Sequence, residues 1–121
     1  MRLEQTIGDV THWVELKDTW SQRDMRAWRH AGELTDADFV SAEAMDAAAD
    51  RVNAAKLELL SGWSTGCHIV DLQGNVYERI DDLTAEAMLD LDAPLYAMLQ
   101  DAATRAWAKR SSLGNSNGAR S

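Results

Sequence analysis

Apolar residues recur at steps of three and four from Thr35 to Ser61, the longest such stretch in the chain. This spacing places their side chains on one face of a single helix. Thr35 or Asp36 is positioned to cap the start of this helix, and Ser61-Gly62 to end it. We therefore predict a long central helix on which the other elements pack. Its apolar face consists of Val40, Ala44, Ala48, Val52, Ala55 and Leu59.

Two short stretches near the N-terminus predict a β hairpin. They run from Leu3 to Ile7 and from Thr11 to Lys17, on either side of Gly8-Asp9, and the second alternates apolar with polar residues. A short helix should follow and end at Ala31. Its start is marked by Ser21 and Asp24, which have the spacing of a capping pair.

The second half of the chain carries weaker signals. Thr65-Gly66 suggests a loop, and the segment from Ile69 to Tyr77 is either a small hairpin or an ordered loop. A short helix should end near Leu91, and a final helix should begin near Pro94, where the missing N–H of proline is tolerated.

These elements together predict a mainly α fold. It is a small helical domain with a long central helix and a short N-terminal β hairpin. We expect this single domain to cover residues 1–113, followed by a flexible, polar tail over residues 114–121.

Charge narrows the classes of partner. The 121 residues have a net charge of −8, so a phosphate backbone would be repelled and we do not expect nucleic acid as a partner. The segment from Arg105 onward is basic and contains no acid, which indicates either a solvated surface, a contact between copies in a homo-oligomer, or a partner at the C-terminus. The absence of a long apolar run and the single cysteine, Cys67, favour a cytoplasmic location without membrane insertion.

The sequence offers no pattern for catalysis, for a metal or for another cofactor. Cys67 and His68 are neighbours, but adjacent residues on a strand point to opposite faces. The other histidines, His12 and His30, lie in different segments, so no set of ligands has the spacing of a metal site. We therefore predict a protein that is not an enzyme.

Tryptophan content is the strongest compositional signal of function. The chain has five tryptophans, which either fill a small core or anchor a partner. Our hypothesis for partner binding combines the early tryptophans with the apolar face of the long helix. The residues concerned are Trp13, Trp20, Trp28, Val40, Ala44, Val52, Leu59 and Trp63.

Several segments occur in a characteristic order along the chain. They are Trp13 to Asp18 (Trp-Val-Glu-Leu-Lys-Asp), the charged helix with Arg23, Asp24 and Arg26, Leu59 to Ser64 (Leu-Leu-Ser-Gly-Trp-Ser), Asp71 to Gly74, Glu78 to Leu83 (Glu-Arg-Ile-Asp-Asp-Leu) and Leu91 to Leu99 (Leu-Asp-Ala-Pro-Leu-Tyr-Ala-Met-Leu). In this order the chain resembles the tail assembly chaperones of long-tailed, siphophage-type bacteriophages of actinobacteria.

The resemblance implies a non-enzymatic protein of the host bacterial cytoplasm. Such a chaperone binds the tape measure protein and keeps it soluble while the tail tube protein polymerises around it. Two alternatives remain open. One is a structural head–tail joining or tail-completion protein. The other is a small DNA-binding regulator that uses the basic ridge of Arg23, Arg26 and Arg29 on the predicted Ser21–Ala31 helix.

Overall fold

A computed structural model describes the backbone of residues 1–119 and the side chains of residues 1–110. The strands are β1 (Arg2–Ile7), β2 (Val10–Leu16), β3 (Ser64–Val70) and β4 (Val76–Tyr77). The α-helices within residues 1–119 are α1 (Gln22–Ala31), α2 (Ala42–Trp63), α3 (Ala85–Met88), α4 (Ala93–Gln100) and α5 (Ala102–Ala119). Two short 3₁₀ helices lie at Asp36–Phe39 and Ile80–Asp82.

The prediction of a mainly α fold with a single hairpin is wrong. The four strands form one antiparallel sheet in the order β1-β2-β3-β4, and the fold is mixed α/β, with 55% helix and 20% strand. The error came from Thr65-Gly66, predicted as a loop but part of β3, where Gly66 pairs with Glu15 of β2. This pairing joins segments about 50 residues apart, and a glycine gives no local indication of a strand.

The N-terminal hairpin is confirmed, and the sheet has one covered face and one open face. Leu3 pairs with Val14, and Val14 with Cys67, so the three side chains lie together on the covered face. Trp13 pairs with Glu4 and His68 and therefore lies on the open face. The Ile69–Tyr77 segment, left open between hairpin and loop, is a hairpin.

The predicted long helix is interrupted near its start. The 3₁₀ helix ends before Ser41, whose extended backbone (φ −159°, ψ 165°) and side chain cap α2, with the Ala44 N–H donating to Ser41 Oγ at 3.0 Å. Val40 therefore precedes α2 and is exposed. At its other end, α2 continues past the predicted Ser61 stop to Trp63.

The hydrophobic core lies between the covered face of the sheet and the helices. The predicted final helix is divided at Asp101 into α4 and α5. The apolar stripe along these two helices is buried except for Trp107, which is 40% exposed. The main core residues are Leu3, Val14, Leu16, Trp28, Leu57, Leu60, Cys67, Ile69, Leu95, Met98, Leu99, Ala102, Ala103 and Ala106.

The predicted flexible tail at 114–121 lies outside the residues whose side chains the structure describes. Its flexibility and the domain boundary at residue 113 therefore stay predictions.

Candidate partner-binding site

Three of the predicted binding tryptophans form one cluster where β2, α1 and α2 meet. Trp20 and Trp63 pack edge to face with ring centroids 5.1 Å apart, and Trp28 lies 6.1 Å from Trp63. The Lys17 ammonium lies 5.1 Å from the Trp20 ring, at a distance that allows a cation–π contact. Trp28 is buried, whereas Trp20 and Trp63 are half-buried. The cluster therefore contributes mainly to the core.

The start of α1 holds this cluster in place. Ser21 and Asp24 form the predicted capping box, with the Asp24 N–H donating to Ser21 Oγ and the Ser21 N–H to Asp24 Oδ2. Asp24 Oδ2 also accepts a hydrogen bond from Lys17 Nζ at 2.5 Å, and this bond together with the Ser21 N–H lowers the pKa of Asp24. The Lys17 N–H donates to the Trp63 carbonyl, which links β2 to the end of α2.

Trp13 is separate from the other tryptophans. It lies on the open face of the sheet, with the Arg2 guanidinium carbon 3.9 Å from its ring centroid. The structure thus does not combine Trp13 with Trp20 and Trp28 in one surface. Leu59 and Trp63 do share a surface, a shallow groove of about 650 Å³ between α1 and α2.

An exposed apolar surface lies beside the first half of α2. Leu34, Phe39 and Met45 are 49%, 59% and 50% exposed, and all three line one cavity of about 310 Å³. We call this cavity the η groove, because the 3₁₀ helix Asp36–Phe39, a type of helix often denoted η, forms one side of it. Its lining residues are Gly32, Leu34, Asp38, Phe39, Met45, Ala48, Ala49, Val52, Lys56 and Gln100. Exposed apolar surface that is gathered in one place typically marks an interaction site.

An ion pair fixes the 3₁₀ helix against α2. Arg51 donates from both terminal nitrogens to Asp38, at 3.3 and 3.0 Å, while the Thr35 N–H donates to Asp38 Oδ2 at 2.8 Å. The Arg51 guanidinium, followed by the Thr35 N–H, lowers the pKa of the Asp38 carboxyl group. The wall that carries Phe39 is therefore tied to the helix opposite it, and the groove has a defined width.

Buried polar groups hold α4 against α2 at the inner end of the groove. Asn53 is fully buried, donates from Nδ2 to Tyr96 Oη and accepts from Gln100 Nε2, both at 2.8 Å. Lys56 Nζ donates to the Gln100 carbonyl at 2.8 Å, and burial lowers the pKa of Lys56. Asn53 faces the core although it is polar, because these partners on α4 satisfy its amide.

The predicted apolar face of the long helix contributes only partly to the η groove. Val52 lines it, and Val40 follows Phe39 directly along the chain, but Ala44 and Leu59 are not among its lining residues. Sequence reasoning missed Leu34, Phe39 and Met45. The available signal was three large apolar residues within an otherwise acidic segment, off the predicted stripe.

The groups considered for chemistry are separated by the sheet. Burial, together with the nearby carboxylates of Glu78 and Asp82, raises the pKa of the Cys67 thiol to about 12, so it stays protonated. His68 is on the opposite face of β3 and contacts Glu78 at 3.3 Å. Within the described residues, no three His, Cys, Asp or Glu side chains gather to hold a metal ion.

His12 has a structural part in the sheet. It is buried, and its Nδ1 accepts the Val70 N–H at 3.2 Å, which requires an unprotonated Nδ1. Burial lowers the pKa of His12, His68 adds to the shift, and Asp92 opposes it.

No helix in the described part of the chain is long and apolar enough to cross a membrane. No family model, curated protein sequence or solved structure matches the chain.

Proposed function

We propose that this protein is a non-enzymatic tail assembly chaperone of a long-tailed bacteriophage. In this role it binds the tape measure protein in the host cytoplasm and keeps it soluble while the tail tube protein assembles. The tape measure is the direct partner, and the tube protein is the partner of the later assembly step.

The observation that carries the proposal is the concentration of exposed apolar side chains at the η groove. Eight large apolar residues are exposed among residues 1–110. Three of them, Leu34, Phe39 and Met45, line the groove, and a fourth, Val40, follows Phe39 along the chain. A protein that shields an aggregation-prone partner needs such a surface in its free state, because apolar contact supplies most of the binding energy. The order of sequence segments, which resembles that of tail assembly chaperones, supports the choice of partner.

Charge supports the same role. The net charge of −8 keeps copies of this chain, and complexes that contain it, apart in solution. A holding protein with an open apolar groove requires this protection, since the groove would otherwise promote association of the free protein.

Co-expression with the tape measure protein of the same genome tests the proposal. The expected result is a soluble complex that co-purifies with this chain, whereas the tape measure expressed alone is insoluble. An unrelated acidic protein of similar size is the control, and it should leave the tape measure insoluble. Light scattering of the purified fractions gives the size of the complex.

Two results would overturn the proposal. One is a tape measure that stays insoluble beside this chain. The other is a fixed ring formed by this chain alone and retained in purified virions, which is the behaviour of a head–tail joining protein.

A further inference from the structure

We infer that the η groove receives one amphipathic α-helix of a partner whose apolar anchors are bordered by lysine or arginine. The inference deepens the proposed function, on which it rests, by naming the chemistry of the segment that is bound. It is carried by the shape of the groove and by the sign of the charge around it.

The shape fits anchor side chains of a helix. A volume of about 310 Å³ is at the small end of ligand pockets, so it accommodates a few apolar side chains and not a whole helix. The groove opens between the 3₁₀ helix and α2, and Ala48 and Ala49 lie along its α2 side, where a small side chain leaves room. A helix that lies along such an opening inserts residues spaced at i, i+3, i+4 and i+7.

The segment that forms the 3₁₀ helix and the first half of α2 is acidic. Residues 33–50 contain six carboxylates and no lysine or arginine. Asp38 is paired with Arg51, and Glu33 contacts His30. The other four form no ion pair among the described residues, and they are Asp36, Glu43, Asp46 and Asp50.

The positions of these carboxylates connect them to the groove. Asp46 follows Met45 and Asp50 follows Ala49, so each lies one step around α2 from a residue that lines the groove. Lys56 is the one cation among the lining residues, and its ammonium is engaged by the Gln100 carbonyl and lies 4.9 Å from the Trp28 ring. A partner with basic residues beside its apolar face is therefore attracted, and one with acidic residues is repelled.

Two synthetic helices of about 15 residues test the inference. They share one leucine face at helical spacing and differ only in the border residues, which are lysine and arginine in one and glutamate in the other. Fluorescence anisotropy with the full chain should show the basic helix binding about 10-fold tighter or more, and the difference should shrink as salt is raised.

Variants locate the binding. Phe39→Ala should weaken binding of the basic helix about 10-fold, because it removes a large anchor contact. The double change Asp46→Lys with Asp50→Lys should reverse the preference between the two helices. Leu89→Ala is the matched control, since Leu89 is 64% exposed but does not line the groove, and it should leave affinity unchanged.

Three results would overturn the inference. The first is equal binding of the two helices, and the second is binding of the basic helix that Phe39→Ala leaves unchanged. The third is self-association of this chain that Phe39→Ala abolishes but that the basic helix does not inhibit. The third result would mean that a second copy of this chain occupies the groove. Its basic segment, which contains Arg105, Lys109 and Arg110, would then contact the groove.

The inference and the proposed function fail separately. If the tape measure co-purifies equally with wild type and with Phe39→Ala, the chaperone role stands and the inference about the groove is wrong. If the basic helix binds in the groove but the tape measure stays insoluble, the inference stands and the chaperone role is wrong.

Discussion

Replacement of Asn53 by alanine removes the amide at the centre of the contact between α2 and α4. The side chain is fully buried and makes two hydrogen bonds, one to Tyr96 Oη and one from Gln100 Nε2. Gln100 Nε2 also donates to Tyr96 Oη at 2.9 Å, so each partner keeps one bond after the substitution. The loss is therefore that of two hydrogen bonds and of the volume of the amide, without a fully unpaired polar group.

The expected cost follows from these two terms. Each lost hydrogen bond contributes about 1 kcal/mol. A void comparable to one water molecule, about 30 Å³, adds roughly 0.7 kcal/mol at about 24 cal/mol per Å³. We expect Asn53→Ala to lower the free energy of unfolding by about 2 to 3 kcal/mol, and the melting midpoint by roughly 10 °C.

Urea unfolding followed by circular dichroism measures this cost. The control is Asp50→Ala, three residues earlier on α2, whose exposed carboxylate has no ion pair among the described residues and should change stability by under about 0.5 kcal/mol. Combination of Asn53→Ala with Tyr96→Phe should give a coupling energy of about 1 kcal/mol. If Asn53→Ala costs no more than the control, the reasoning about the α2–α4 contact is refuted.

Two further predictions concern the sheet and the glycines. Stability should fall as pH drops below about 6.5. Burial lowers the pKa of His12 in the folded chain, so below this pH the unfolded chain binds a proton that the folded chain does not. Urea unfolding between pH 7 and pH 5 should show this slope in wild type and in His30→Gln but not in His12→Gln, and an equal slope in all three would contradict it. Gly74→Ala should destabilise by about 1 kcal/mol, since φ is +88° there, whereas Gly62→Ala within α2 should stabilise by up to about 1 kcal/mol. Thermal unfolding of both variants measures these effects. Melting temperatures that shift in the same direction would show that backbone conformation does not decide the effect of replacing these glycines.

Local signals in the sequence predicted local structure well. The Ser21–Asp24 pair predicted the start of α1, and alternation in the first strands predicted the hairpin, because both depend on residues close together in the chain. The first part of β3 was missed because Gly66 becomes part of a sheet only through pairing with Glu15, a contact that no nearby residue indicates. The fold class therefore depended on one long-range pairing.

The candidate site was hidden for a different reason. Thr35 and Ser41 are both good helix caps, and the periodic apolar residues ran through both. The sequence pattern predicted one helix that begins at Thr35 or Asp36. In the structure both residues are N-caps, Thr35 of the 3₁₀ helix and Ser41 of α2. The break between them changes the direction of the chain and turns Phe39 into a wall of the η groove. Two competing caps six residues apart cannot be ranked without the tertiary contacts, here the pair of Asp38 and Arg51.

The two halves of α2 pack differently, and the η groove is open because the first half carries small side chains along it. The second half buries Leu57 and Leu60 in the core, while the first half offers alanines at positions 48 and 49 along the groove. A larger aliphatic residue at position 49 would fill part of the cavity and bury apolar area, which stabilises a fold by about 0.8 kcal/mol for each buried CH₂ group. The free protein lacks that stabilisation and also leaves Phe39 and Met45 about half exposed to water. A surface that is apolar, open and bordered by carboxylates lowers the stability of the free chain, and the helix binding that we propose would recover it.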